Sequence, residues 1–598
     1  MAFGVRILPL KYGAYLSEFD PYWHFYVTEK IVNDGPLSVY GWVDTRTWYP
    51  FGRVVDASTP MGLPYAVATF YFLLRSVGAQ MTLMDVAIFF PPAMAAVSSI
   101  AVYFLGKEVA GREAGLLAAV LLALNEAYIS RTALGFLKHE TVGVLAIVLV
   151  SLFFLKAVKA GADTRRMFGY AALAGLALAY LNISWGASFY VIGLLPLFVV
   201  VMVILRQYTT RLLLAYSITV GLGLLLMLPH PRSGPDVIQT SLVLPVLAGF
   251  VILAGAEVMS SFRTYRPKML HLLVVAVVLA VGVGALSLTP AFAPVTGKFM
   301  AVLNPALRVG PEAAIVGSVA EHRVSTWATF YAQFGNSLFL GLVGIVFALK
   351  RRKEADVFIL VAGLTAVYFS ASFIRLTLIM APMFAVLAGY GFSELAKPFA
   401  GLLKDQAAIS RVKGAVRVMP KLGVVFVLVT VLILVPSFAS AVNAADTPTT
   451  IASSSAPVRS FRGDWLEALK WIDENVPKGQ PVVAWWDYGY WIAIGGNSTS
   501  VADNATLNTT QIAHIGQVLL SPEPVAVELA KKYFNAEYIL IYVTTAPTQQ
   551  GHVPWGFGDE GKWVFMADIA QGYHPEISRE SVDVNGDQVP DADTLMGK

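Results

Sequence analysis

The sequence predicts a polytopic α-helical membrane domain followed by an α/β soluble domain outside the membrane. Three observations carry this. The chain is 56% hydrophobic and 14% charged, against about 25% charged in soluble domains, and its mean hydropathy is +0.64. Apolar stretches of spanning length recur between residues 84 and 442. Beyond residue 460 the pattern changes to one amphipathic helix and short buried-strand runs. A net charge of +4 gives no basis for a nucleic-acid partner, and with no cysteine there is neither a disulfide nor a thiolate metal site.

Spans are expected near 84–106, 113–129, 140–157, 167–184, 187–205, 211–229, 240–258, 270–288, 334–349, 356–372, 376–394 and 421–442. The segment 61–79 is apolar but interrupted by Pro60, Pro64 and Arg75, and reads as a helix outside the membrane. Lysine and arginine set the orientation. They gather in alternate loops: Lys107 and Arg112; Lys156 to Arg166; Arg206 and Arg211; Arg263 to Lys268; Lys350 to Lys353; Lys397 to Lys421. Those loops are predicted cytoplasmic, which leaves 20–83, 130–139, 185, 230–239, 289–333, 373–375 and everything after about 443 on the extracytoplasmic side. By parity a first span should precede Arg6, and most of it is missing, so either the natural product is expected to start upstream or this chain lacks its first helix.

Residues 1–443 thus form the membrane domain, with long outer loops 20–83 and 289–333. Residues 444–460, rich in Ala, Ser, Thr and Pro, read as a linker. Residues 461–598 form the soluble domain. There Asp464 caps a helix with Trp465, Leu469 and Ile472 on one face, and Tyr538 to Val543 reads as a buried strand. The apolar run Pro481 to Ala484 reads as another strand, ending at the polar tip Trp485-Trp486-Asp487-Tyr488-Gly489. Two indoles that donate beside a carboxylate that accepts suit a small hydroxyl group. An aromatic core capped by one Asp is the competing explanation.

The outer loops carry the unusual polar residues. The first holds Ser17-Glu18-Phe19-Asp20-Pro21 and Thr47-Trp48-Tyr49-Pro50-Phe51-Gly52-Arg53. Next comes Leu137-Lys138-His139-Glu140 at the mouth of a span, where Lys138 reads first as an interfacial anchor and His139 and Glu140 as possible metal ligands. Ser318-Val319-Ala320-Glu321-His322 lies in the long loop, and Arg375 stands at the end of a span, where arginine snorkels or binds phosphate. Asp583 to Asp591 opens with calcium-loop spacing, but Thr594 replaces Glu at position twelve, so a solvated acidic tail is the default.

These motifs, in this order and followed by Asp503-Asn504-Ala505-Thr506-Leu507-Asn508-Thr509-Thr510, resemble the catalytic subunit of N-oligosaccharyltransferase in its archaeal single-subunit form. The resemblance runs over nearly the whole chain. It implies thirteen spans, the first largely missing here, and an outward C-terminal domain. It implies transfer of an oligosaccharide from a polyprenyl (dolichyl) phosphate or diphosphate carrier to the side-chain amide of Asn in Asn-x-Ser/Thr of an extended polypeptide. The setting would be the cell membrane, with the reaction on the extracytoplasmic side. Another lipid-phosphate-sugar-dependent membrane glycosyltransferase, or an inactive paralogue, is the alternative.

By the same resemblance Asp20 and Glu321 would hold the acceptor amide, and Asp20, Glu140 and His139 would bind Mn²⁺ or Mg²⁺. Arg375 would hold the donor phosphates. Trp485, Trp486 and Asp487 would read the Ser/Thr hydroxyl. Asp559-Glu560-Gly561-Lys562 followed by Met566 resembles a second acceptor motif, with Lys562 and Met566 one helical turn apart. One position departs from the pattern: Lys138 stands where the family has an acidic residue.

Overall fold

The computed structural model describes residues 1–159, 161, 163–232, 243–260, 311–404, 419–548 and 551–597. The expected span 270–288, the cluster Arg263 to Lys268 and residues 289–310 of the loop 289–333 lie outside them. Among the described residues, eight helices are long and apolar enough to cross a membrane. A ninth is added if Trp327–Phe334 and Ser337–Arg351, bent by 93° at Gly335, count as one. Ser188–Ile204 is a 17-residue apolar helix in the place of an expected span.

The helices begin and end where local chemistry dictates. Leu83–Ala110 starts at a reciprocal cap between Thr82 and Asp85. Glu140–Val158 starts on a carboxylate, favoured at the positive end of the helix dipole. The expected span 113–129 is in fact broken: Arg112–Ala123 stops, and Asn125 caps a separate turn, Glu126–Ile129. Asparagine competes with the helix by accepting from the backbone, here from Tyr128 at 3.1 Å. Ser337–Arg351 crosses Thr377–Lys404 at Gly344 and Gly391. A Cβ on Gly344 would stand 2.0 Å from the Leu387 carbonyl oxygen, so only glycine permits that approach.

The soluble domain is built on a three-stranded parallel sheet, Thr499–Ser500, Pro481–Val483, Tyr538–Ile539, with Pro481–Val483 central and buried. Asp464–Asn475, Thr509–Leu520, Glu523–Phe534 and Trp563–Gln571 pack around it. Asn508, inside a sequon, caps Thr509–Leu520 by accepting from Gln511 N–H. The strand expected over 538–543 is regular only at Tyr538–Ile539. Trp486–Tyr488 turns immediately after the central strand, at the carboxyl end where parallel sheets open their ligand crevice.

The two domains interlock. Tyr49 N–H donates to the Ser500 carbonyl (3.2 Å) and Ser500 N–H to the Arg46 carbonyl (2.8 Å), so the first long loop extends the edge of the sheet. Residues 444–460 are a packed strap rather than a free spacer. Ile451 and Ala452 are fully buried, Thr450 donates to Glu18 (2.8 Å), and Tyr542 donates to the Ser454 carbonyl.

Candidate active site

Four elements converge below the soluble domain. Asp20 opens the helix Asp20–Asp34, with Pro21 in its first turn. Lys138 and His139 end the loop before Glu140–Val158. Glu321 lies in the short turn Ala320–His322, and Arg375 in the turn Ile374–Leu376. A polar turn at the start of an apolar helix is where an ionisable side chain meets both dipole and solvent.

Lys138 Nζ stands 2.6 Å from Asp20 Oδ2 and 4.0 Å from Glu321 Oε2. One ammonium therefore joins two carboxylates that are 301 residues apart in sequence. Arg131 donates to Glu321 from the other side. Arg375 donates to Glu140 Oε1 at 3.0 Å and to His139 Nε2 at 2.8 Å, and lies 3.9 Å from Glu321. Three fixed cations, Lys138, Arg131 and Arg375, thus face three carboxylates, Asp20, Glu140 and Glu321.

The electrostatics follow from that pairing. Burial pushes Asp20 and Glu321 up, but Lys138 at Asp20, and Lys138, Arg131 and Arg375 together at Glu321, pull the other way, and both are held below the usual carboxylate range. Burial pulls Lys138 down, and Asp20 and Glu321 more than restore it, so its ammonium is held charged. Burial pulls His139 down to about 3 and His24 to about 4, leaving both imidazoles neutral. Since Arg375 donates to His139 Nε2, the ring proton is on Nδ1.

The divalent ion implied by the resemblance does not fit this donor set. Among the described residues no group of three or more His, Asp or Glu side chains is placed to hold an ion. The proposed ligands are already engaged: Asp20 by Lys138, and the His139 Nε2 lone pair and Glu140 Oε1 by Arg375. Two unit charges ~4 Å apart interact by about 4 kcal/mol at an effective dielectric constant of ~20, and a divalent ion doubles that. An ion sharing Asp20 with the ammonium meets that repulsion. In this structure the expected ligands Asp20, His139 and Glu140 are paired instead with the side-chain cations Lys138 and Arg375.

The polar tip Trp485-Trp486-Asp487 sits beside the cluster. Phe19, next to Asp20, packs on Trp491 (centroids 4.5 Å) and on Tyr488 (6.0 Å), next to Asp487. Trp491 Nε1 donates to the Glu18 carbonyl at 2.9 Å. Trp485 and Trp486 are buried. The Trp486 indole N–H, buried as well, has no hydrogen-bond partner among the described residues, so a donor is left open. Asp487 is paired to Lys562 Nζ at 2.6 Å, and Lys562 also donates to Tyr488 Oη at 3.0 Å. Lys562 is the cap residue of Trp563–Gln571, and Met566 N–H donates to its carbonyl, so the two are one turn apart as expected. Met566, however, has no exposed surface: it lies in the apolar cluster that contains Trp485 and Trp486.

Two residues that brace the site were given no role from the sequence. Arg131 is the first; its signal was a lone arginine in a loop the charge bias places outside. Arg53 is the second. Fully enclosed, it donates to Tyr490 Oη (2.7 Å) and to Asp503 (3.4 Å) and stacks over Trp23 at 4.0 Å, tying the first loop to the soluble domain.

Helices of spanning length beneath a soluble α/β domain, with paired carboxylates and cations between them, make this a polytopic membrane protein with a charged centre at the foot of its soluble domain. The family described as "Oligosaccharyl transferase STT3, N-terminal" matches residues 10–388. The chain belongs to the STT3 oligosaccharyltransferase family and is an oligosaccharyltransferase. It is 30% identical to the dolichyl-diphosphooligosaccharide–protein glycosyltransferase subunit STT3B of Oryza sativa, over 98% of this chain and 84% of that one. To subunit STT3B of Arabidopsis thaliana it is 29% identical, over 98% and 82%. Its fold is that of the Archaeoglobus fulgidus oligosaccharyltransferase in the apo form: TM-score 0.76, 20% identity, 96% of this chain and 70% of that one. A second structure of that protein, AglB with an inhibitory peptide and a dolichol-phosphate, superposes with TM-score 0.74 at 18% identity, over 96% and 71%.

Proposed function

We propose that this chain transfers an oligosaccharide from a polyprenyl (dolichyl) phosphate or diphosphate carrier to the Asn amide of Asn-x-Ser/Thr. It acts as a single subunit on the extracytoplasmic face of the cell membrane. The observation that carries the reading is the meeting of Asp20 and Glu321 around Lys138, one residue from the Phe19–Tyr488 contact that leads to Asp487. Lysine and arginine loop bias supports the sidedness. The peptide and dolichol-phosphate bound by AglB support the two substrates.

The acceptor is a poor nucleophile, because its nitrogen lone pair is delocalised into a C–N bond whose rotation costs about 18–20 kcal/mol. Asp20 and Glu321 accept hydrogen bonds from the two amide protons and favour a twisted, more reactive amide. Each ~1.36 kcal/mol removed from the barrier is about tenfold in rate. The amide nitrogen bonds to the anomeric carbon, and the bond from that carbon to the carrier's phosphate oxygen breaks. The phosphate keeps the electron pair, and one amide proton passes to a carboxylate of the pair. Arg375 holds the phosphate through its planar fork.

Trp486 N–H and the Asp487 carboxylate bind the Ser/Thr hydroxyl, with Lys562 holding Asp487 in place. Met566 supports Trp485 and Trp486 from the core. A site built to pair a hydroxyl rejects the analogue lacking it by up to about 10⁴–10⁵-fold. The test is transfer from a lipid-linked oligosaccharide extract to a fluorescent Asn-Ala-Thr peptide by the purified chain. Glycopeptide is expected with Asn-Ala-Thr alone. Equal labelling of a Gln-Ala-Thr peptide, or labelling of a Thr-only peptide, would defeat the proposal.

A further inference from the structure

Lys138 occupies the centre of the carboxylate cluster, not its rim. Its side chain is 8% exposed, and among the described residues its ammonium is the only cationic group within 4.0 Å of both Asp20 and Glu321. Its backbone is fixed as well. Lys138 N–H donates to the Phe136 carbonyl and its carbonyl accepts from Thr141 N–H, both at 2.9 Å, locking the turn into the buried start of Glu140–Val158. A lysine that merely anchors at an interface runs its stem outward to water; this one turns its charge inward between two acids.

We propose that the Lys138 ammonium is the resident cation of this reaction centre, and that it takes the place of a divalent ion in transfer. The inference rests on the function proposed above. Asp20 and Glu321 need a positive charge between them, because two like carboxylates sharing one site otherwise force one to take up a proton and lose its acceptor lone pairs. The ammonium supplies that charge covalently tethered, at any divalent concentration. Arg131 and Arg375 complete the neutralisation from the flanks, so the cluster is balanced without a bound ion. Lys138 is thus a positioning residue, acting through the two acids that touch the acceptor amide. With its charge in place, leaving-group neutralisation falls to Arg375.

The test is metal dependence, read in two ways on the purified full chain. With lipid-linked oligosaccharide extract and the Asn-Ala-Thr peptide, transfer in excess EDTA is expected within about twofold of transfer with added Mn²⁺, where a resident catalytic metal supplies several kcal/mol. Lys138→Asp is expected to lose at least about tenfold in EDTA and to recover with Mn²⁺, and Lys138→Met to lose as much and not to recover. A merely structural lysine would not make its aspartate variant metal-dependent. Independently, the six-line electron paramagnetic resonance signal of free Mn²⁺ is expected to be undiminished by the wild-type chain and diminished by Lys138→Asp.

Loss of wild-type transfer in EDTA with recovery in Mn²⁺ overturns the inference while leaving the proposed reaction standing. Stoichiometric Mn²⁺ binding by the wild-type chain overturns it whatever the transfer assay shows. Absence of glycopeptide in every buffer overturns the reaction itself, and the resonance measurement still decides whether Lys138 excludes the ion.

Discussion

At the scale of single residues, the most telling group is the Trp486 indole N–H, buried and without a hydrogen-bond partner among the described residues. Leaving a buried donor unmade costs about 1–3 kcal/mol, so a ligand that accepts from it recovers that amount. Trp486→Phe keeps the ring bulk and removes the donor. It is expected to raise the peptide KM about tenfold and to narrow the preference for Asn-Ala-Thr over Asn-Ala-Val, read by peptide titration. Asp559 gives a second prediction. Burial pushes its carboxyl up to about 6, against the pull of Lys562. A carboxyl raised in the folded state binds a proton that the unfolded chain releases. Its stabilisation is therefore full below about pH 4 and lost as pH rises through about 6. Tryptophan-monitored melting is expected to show a stability gain of about 2–3 kcal/mol from this group between pH 7 and pH 4, absent in Asp559→Asn. The acids and the tryptophans were legible in the sequence because they fall in motifs whose order resembles that of the family. The partners were not. That Lys138 bridges Asp20 to Glu321 is a fact of three segments meeting, and no local pattern encodes it.

At the scale of elements, the helix Asp20–Asp34 connects the membrane cluster to the acceptor side. It is held by Phe19 on Trp491, by Trp23 stacked on Tyr490 (5.4 Å, 21°), and by Arg53 between them. Removing one partner of a buried pair leaves the other charge unpaired, at a cost of about 3–5 kcal/mol. Arg53→Met is expected to lower the melting midpoint and to slow transfer even though Arg53 lies outside the carboxylate pair. Unchanged melting would show that Arg53 does not hold the loop to the soluble domain. Long apolar helices were readable because periodicity and length agree, as in Leu83–Ala110 and Glu354–Ser372. The misread ones had specific causes. Asn125 interrupts an apolar run, Gly335 allows a sharp bend, and the 444–460 stretch looks like a spacer by composition yet buries Ile451 and Ala452 through contacts with Ser17, Glu18 and Tyr542.

At the scale of the whole molecule, the soluble domain closes over the carboxylate cluster, and the helix Pro311–Ser318, just ahead of Glu321, packs on Trp563–Gln571, the helix headed by Lys562. The element that leads to Glu321 therefore rests on the element headed by Lys562, which pairs with Asp487. In the proposed reaction, a peptide read for its hydroxyl in the soluble domain would present its asparagine, two residues away, to the membrane cluster. The measurement that tests this most directly is a structure of the full chain with a bound Asn-Ala-Thr peptide. The account predicts the asparagine amide between Asp20 and Glu321, with the threonine hydroxyl against the Trp486 indole N–H and Asp487. A peptide seated with its asparagine away from both carboxylates, or its threonine away from Trp486, would contradict it.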